Sequence, residues 1–437
     1  MEAFLYEYGN LLLRWLHVIA AISWIGESIY FVMLDNSLHA PRDERGKKLG
    51  VFGEMWAVHG GGFYHNQKYL TNPPELPADL HWSFWKSYTT WLSGFALFSI
   101  MYLMKPAFYL VNPNSPWTWA ASMNGLQAGI LAVAFLVVGY IIYSQLCRRI
   151  SPNMERDGLL SLAVGIMMVA VAWLTVQIFP GRAAFLITGA LMATCMSANV
   201  FFWIIPGQRR MVAALKAGQA PDPLDGKRGK QRSVHNTYFT LPVVFLMLSN
   251  HYSFTYTSPY AWIIMVLFIF AGAVIRQYFV LRHMGKNQLG YPVAGVVLLA
   301  LVGWLAAPST ADKPAANVPA KAAQQVPGSA GMAETGMAAG TAEEAGGQDT
   351  APASDRGATL ERVHAIVVAR CTECHSAKPT FAGIASAPAG IVLDTNEQTI
   401  MHAAQIKQVV GSKYMPLGNI TKMTDDERAV IAAWAGQ

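Results

Sequence analysis

The sequence predicts an all-α protein. A polytopic membrane helix bundle of about eight transmembrane helices comes first, and a small helical domain closes the chain. Three observations predict this. The 437 residues are 53% hydrophobic and only 13% charged, roughly half the charge of an ordinary soluble domain. Apolar stretches recur along the first 307 residues. A segment rich in Ala, Gly, Pro, Ser and Glu, about 308–357, then separates them from a compact end of about eighty residues.

Candidate spans lie at about 10–34, 86–110, 119–146, 159–179, 183–206, 236–250, 260–281 and 291–307. Most reach the ~20 apolar residues that cross a bilayer. The sixth is short and contains Pro242, so a kinked or only partly embedded helix is expected there. Lys and Arg collect in alternate loops. Arg42, Arg45, Lys47, Lys48 and Lys68 follow span one, and Arg148, Arg149 and Arg156 follow span three. Arg209, Arg210, Lys216, Lys227, Arg228, Lys230 and Arg232 follow span five, and Arg282 and Lys286 follow span seven. The positive-inside rule makes these loops cytoplasmic and places both termini outside, as an even number of spans also requires. The net charge of +6 therefore serves topology and calls for no nucleic acid. Glu2 and Glu7 replace a basic n-region, so span one is expected to stay in the mature protein.

The organisation expected is a membrane domain at 1–307, a flexible linker at 308–357 and a C-terminal domain at 358–437. That last domain carries Cys371-Thr372-Glu373-Cys374-His375. Cys-x-x-Cys-His is the attachment signature of a covalent c-type haem, with two thioether links and His375 as the proximal ligand. Zinc would need four ligands, and the other cysteines, Cys147 and Cys195, are isolated in apolar stretches, where no disulfide is expected. Met415, in Lys413-Tyr414-Met415-Pro416, follows His375 by forty residues. Its Met-Pro loop resembles that of small class I cytochromes c, and His/Met ligation suits an electron acceptor. Thr424 and Glu427 form a capping box, with Val430, Ile431 and Trp434 on one face of a last helix. Haem attachment occurs outside the bacterial inner membrane, the side on which the charge pattern independently places this domain.

The loop 35–85 is long and dense in His and aromatic residues, among them Trp56, His59, His65, Lys68, His81, Trp82 and Trp85. Such loops are more often functional than idle. Its Gly60-Gly61-Gly62 matches no nucleotide fingerprint.

Ionisable residues inside spans are functional hypotheses. Arg14 and His17 share a face of span one, with Trp24 on the same stripe, and His251 ends span six on the same side. His17 and His251 could ligate a second, non-covalent haem b, with Arg14 beside a propionate; the alternative is that each histidine simply bonds a neighbour. On the basic side, His59, His65, Lys68, His81, Lys86, Gln208, Arg209, His235, Arg276 and Gln277 could line a polar cavity, although Lys and Arg at helix ends often only snorkel.

Arg14-Trp15-Leu16-His17-Val18-Ile19, Ser23-Trp24-Ile25-Gly26, Trp56-Ala57-Val58-His59-Gly60-Gly61-Gly62-Phe63-Tyr64, Thr90-Trp91-Leu92-Ser93-Gly94, Ile204-Ile205-Pro206-Gly207-Gln208, His235-Asn236-Thr237-Tyr238 and Ser249-Asn250-His251-Tyr252 together resemble the bacterial membrane-bound urate oxidases. Those proteins carry a C-terminal cytochrome c, and the likeness covers the whole chain. It implies oxidation of urate to 5-hydroxyisourate without hydrogen peroxide. Electrons would pass to the c-type haem and on to a periplasmic cytochrome c or terminal oxidase. Span one also loosely resembles membrane protoporphyrinogen oxidases, whose first-helix histidine ligates a b-type haem.

A urate site needs a cation or bidentate donor, an amide partner and a base. Gln208 with Arg209 could grip the purine edges, while His59, Lys68, Lys86 and His235 are candidates for base or charge. If urate enters from the cytoplasm, roughly 30 Å of bilayer separates it from the cytochrome, and a haem b on His17 and His251 would bridge that gap. Two rival readings remain: a non-catalytic electron-transfer subunit serving a quinol or partner dehydrogenase, and a purine transporter, which leaves the cytochrome unexplained.

Overall fold

The computed structural model describes residues 2–70, 73–307, 360–381, 384, 387–388, 391–411 and 413–434. The linker expected at 308–357 lies outside the described residues.

Helices dominate. In chain order the long ones are α1 (Glu2–Asn36), α2 (Trp85–Phe98), α3 (Gly125–Ile150), α4 (Asp157–Ile178), α5 (Gly181–Asn199), α6 (Ile205–Lys216), α7 (Pro223–Leu248), α8 (Ala261–His283) and α9 (Gly290–Ala306). Among the described residues, five stretches are long and apolar enough to cross a membrane: Tyr8–Asn36, Gly125–Ile150, Asp157–Ile178, Gly181–Lys216 and Ala261–His283. The other three expected spans differ in build. α2 is short and continues into a π turn, Ser99–Leu103. α7 is polar over its first half. α9 has only 17 residues. α7 runs unbroken through Pro242. Gly272 of α8 lies against that ring, and a Cβ there would come within 2.8 Å of Pro242 Cδ.

α5 is the axis of the bundle. It packs on α7, α3 and α4, and Phe185, Ile187, Leu191, Met192 and Cys195 are fully buried. α1 is its opposite: it leans mainly on α2 and leaves Leu11, Trp15, Leu16, Ile19 and Ile22 exposed. Apolar side chains turned outward from a long helix need a nonaqueous surround or a partner.

The all-α expectation misses one element. Within the 35–85 loop, β1 (Gly53–His59) and β2 (Gly62–Lys68) form an antiparallel hairpin. Gly60 and Gly61 make its turn at φ 59° and 81°, values that two-residue hairpin turns demand and glycine meets without strain. The triple glycine is thus turn chemistry. Trp56 and His65 stack across the strands at 4.2 Å.

The C-terminal helices α10 (Leu360–Arg370), α11 (Asn396–Met401), α12 (Ala403–Gly411) and α13 (Asp425–Trp434) enclose a second core of Val363, Val367, Leu393, Ile406, Val410, Ile431 and Trp434. Thr424 and Glu427 cap α13 reciprocally, at 2.7 and 3.2 Å, and Ile431 and Trp434 face inward as the periodicity requires. Arg370 forks onto Glu427 at 2.9–3.2 Å and reaches the Thr421 carbonyl at 2.7 Å. This unit touches the bundle at the end away from the basic loops. Gln408 donates to Thr257 at 3.3 Å, and Phe381 lies 6.0 Å from Phe108.

Candidate functional site

The Cys-x-x-Cys-His run begins where α10 stops. Cys374 and His375 both donate backbone N–H groups to the Cys371 carbonyl, at 3.1 and 2.8 Å, so the three side chains sit on one tight turn. Both cysteines are free. Burial pushes the Cys371 thiol up to about 12. His375 Nδ1 meets the Ile391 carbonyl at 3.1 Å, which fixes the ring and leaves Nε2 available, the arrangement of an oriented metal histidine. Burial holds the His375 imidazole below its usual range, so the neutral form prevails. Met415 is held by its backbone: its N–H donates to Val409 at 2.8 Å and its carbonyl accepts from Arg428 at 2.7 Å. These residues fit a covalently attached haem.

At the basic-loop end, a cavity of about 580 Å³ opens between α1, the hairpin, residues 69–70 and 73–82, and α6. Gln208, Asn66, Lys68, His81, Trp82 and Asp35 line it. The volume is that of a small-molecule site. Asn66 Nδ2 is buried without a partner. Asp35 accepts from Lys68 and from Lys230, each at 2.6 Å, so Lys68 is a tethered cation rather than a free base.

The other expected site residues lie apart from this wall. His59 is exposed at the hairpin tip. Lys86 pairs with Glu27 of α1 at 2.8 Å. Arg209 lies over the Phe84 ring at 5.9 Å. His235 is buried deeper, its Nδ1 2.7 Å from the Tyr143 hydroxyl and 3.9 Å from Cys147 Sγ. His65 pairs with Glu54 at 3.0 Å. The Arg42 backbone N–H, first, and then His65 hold the Glu54 carboxyl below the usual range.

A family model, urate oxidase N-terminal, matches residues 3–307. The chain belongs to the urate oxidase N-terminal family. Neither a curated protein nor a solved structure matches it. The urate oxidase N-terminal segment contains the whole cavity and His235, while the Cys-x-x-Cys-His unit lies beyond it.

Three more expected residues fall within the urate oxidase N-terminal segment. His17 points its Nδ1 at the Thr90 carbonyl and the Ser93 hydroxyl of α2, at 3.0 and 3.1 Å, and a Cβ at Gly94 would strike its ring at 2.8 Å. Arg14 donates to Asn10 Oδ1 and Met101 Sδ, both at 3.2 Å. His251 is exposed in the 3-10 turn Ser249–His251 after α7, and no hydrogen bond joins it to His17 among the described residues. Sequence reasoning missed Asp35, Asn66, Tyr143 and Asn199. An acidic residue at the end of an apolar span marked Asp35; the other three carry no local signal.

Proposed function

We propose that the protein is a membrane-bound, cytochrome-c-linked urate oxidase. One observation carries this reading. The cavity gathers an amide with both donor and acceptor (Gln208), an unpaired amide donor (Asn66), a cation (Lys68), an imidazole (His81) and an indole face (Trp82), all inside the segment that the family model covers.

Urate is a planar anion with amide-like edges. Gln208 and Asn66 match those edges, Lys68 matches the charge, and Trp82 offers a ring to pack against. The reaction balances as urate plus water giving 5-hydroxyisourate, two protons and two electrons. Water forms the new C–O bond at C5 and loses its proton. His81 stands at the cavity wall as a proton acceptor. A c-type haem held by Cys371, Cys374, His375 and Met415 supplies a one-electron acceptor when bound.

The five long apolar helices cross the inner membrane in this reading, with the basic loops and the cavity on the cytoplasmic side and the C-terminal unit outside. A haem b near His17 would shorten the electron path, and His17 has the fixed Nδ1 that such a ligand requires. Purified protein with covalent haem but no acid-acetone-extractable haem would remove that second group.

The experiment for the whole reading is anaerobic addition of urate to the oxidised, haem-loaded protein while the c-type α-band is recorded. Rapid reduction, lost when His375 is replaced or the chain is cut between 308 and 357, supports it. No reduction from fully loaded protein favours an electron-transfer subunit fed by another donor.

A further inference from the structure

Glu27 stands in α1, within the stretch Tyr8–Asn36 that is apolar enough to cross a membrane. A carboxylate in such a stretch is costly and is kept for a reason. Glu27 does not line the cavity. It reaches across to α2 instead. Its Oε1 accepts from Lys86 Nζ at 2.8 Å, and its Oε2 accepts from the Ser83 hydroxyl at 2.5 Å. Glu27 and Lys86 are both partly buried, so salt screens their pairing less than at an open surface.

The two partners bracket the start of α2. Phe84 is its N-cap and makes no side-chain capping bond, because a phenyl ring has no oxygen to accept one. Ser83 stands just before Phe84, and Lys86 lies in the first turn. Negative charge is favoured there, where the backbone N–H groups of a helix start are free. Glu27 supplies from α1 the fixing that the sequence of α2 lacks.

That fixing bears directly on the cavity. His81 and Trp82, both lining residues, immediately precede Ser83. Among the described residues no hydrogen bond holds either of them, and no backbone hydrogen bond holds residues 73–82. After Lys68, Ser83 is thus the next place at which a side-chain hydrogen bond anchors this chain segment. The bracketed Phe84 also carries the Arg209 guanidinium over its ring at 5.9 Å, and Arg209 adjoins Gln208, another lining residue. About two turns further along α1, Asp35 holds Lys68 at 2.6 Å. One helix therefore holds the hairpin side of the cavity through Asp35 and the 81–84 side through Glu27.

We propose that Glu27 is a positioning residue of the cavity. By gripping Ser83 and Lys86 it sets where His81 and Trp82 stand against the substrate. Its effect on turnover rests on the proposed function; its hold on the segment does not.

The test uses the full-length, haem-loaded protein labelled with 5-fluorotryptophan, with variants Glu27→Gln, Glu27→Asp and Ser83→Ala and the Gln/Ala double variant. The fluorine resonances of Trp82 and of Trp56, on the hairpin, are assigned with Trp82→Phe and Trp56→Phe. In Glu27→Gln the Trp82 resonance moves, the Trp56 resonance stays, and the melting temperature holds within a degree or two. For reduction of the c-type haem by urate, kcat/KM falls ~100-fold, the scale of a small misplacement at a reacting centre. Glu27→Asp recovers part of this loss. The double variant is no worse than Glu27→Gln alone, because both changes break the same bond. An unmoved Trp82 resonance in Glu27→Gln overturns the proposal. So does a moved resonance with wild-type kcat/KM, since the held segment would then not serve the reaction. It fails as well if Trp82 and Trp56 shift together and the variant melts several degrees lower, because Glu27 would then support the fold at large. If urate does not reduce the wild type, the proposed function falls, and the Trp82 resonance alone decides whether Glu27 holds this wall.

Discussion

Tyr414 packs its ring 5.4 Å from that of Tyr256 and accepts a hydrogen bond from Arg182, so the residue next to Met415 helps to seat the C-terminal unit on the bundle. Arg182 is steadied in turn by Asn250 at 3.3 Å. The contact places the Met415 loop against the bundle. If electrons cross here, Arg182→Leu should weaken docking by ~10–100-fold, the worth of one charge-assisted hydrogen bond. Stopped-flow mixing with urate would show slowed reduction of the c-type haem, while reduction by dithionite keeps its wild-type rate. Equal slowing by both reductants would point to a damaged haem site instead.

Gln208 lines the cavity from α6 and its side chain bonds no other element among the described residues. Gln208→Leu should therefore raise the KM for urate ~10-fold, about 1.5 kcal/mol of ligand hydrogen bonding, and leave the melting temperature within a degree or two. A variant with normal KM would remove Gln208 from the site.

Gly94 leaves room for the His17 ring, and its replacement by Ala should cost about 1–3 kcal/mol by overpacking. Gly26, on α1 with open space around it, is the control. Gly26→Ala should be neutral or stabilising by up to ~1 kcal/mol from helix propensity. Thermal melts of the two variants decide whether His17 is clamped as described.

Burial raises the Glu427 carboxyl, but the bonds from Arg370 and from the Thr424 cap more than offset this and hold it below the usual range. A carboxyl depressed by folding contributes stability above its unfolded value of about 4.3 and loses it as the pH falls through the folded value. Acid titration of the intact protein, followed by the Soret band, should show this loss below pH ~4.3. Glu427→Gln should begin less stable and flatten that part of the curve. An unchanged acid limb would dissociate the Arg370 fork from stability.

How much was legible follows from how local each signal is. The Cys-x-x-Cys-His turn, the Thr424–Glu427 cap and the apolar helices depend on neighbours within a few residues, and each is read directly from the chain. Lys68, His81 and Gln208 were expected together around a polar cavity, and the fold brings these three to one cavity wall. His59, Lys86 and Arg209 had the same chemical credentials, but hairpin geometry and pairing with Glu27 or Phe84 send them elsewhere. The hairpin was missed because its strands lie inside a loop whose glycines suggested only what they were not. Arg232 was read as one of many topology charges, but it is buried. Its burial depends on Tyr143 and Trp203, whose rings it lies over, arriving from two other parts of the bundle, which no window along the sequence contains.

Asp35 has one further consequence. Its carboxylate holds Lys68 from the hairpin and Lys230 from α7, and Lys230 stands two residues before Arg232. The cavity wall and the first turns of α7 are therefore tied to one carboxylate. Losing that one carboxylate would untie both at once, so the hairpin side of the cavity and the start of α7 share a single point of failure.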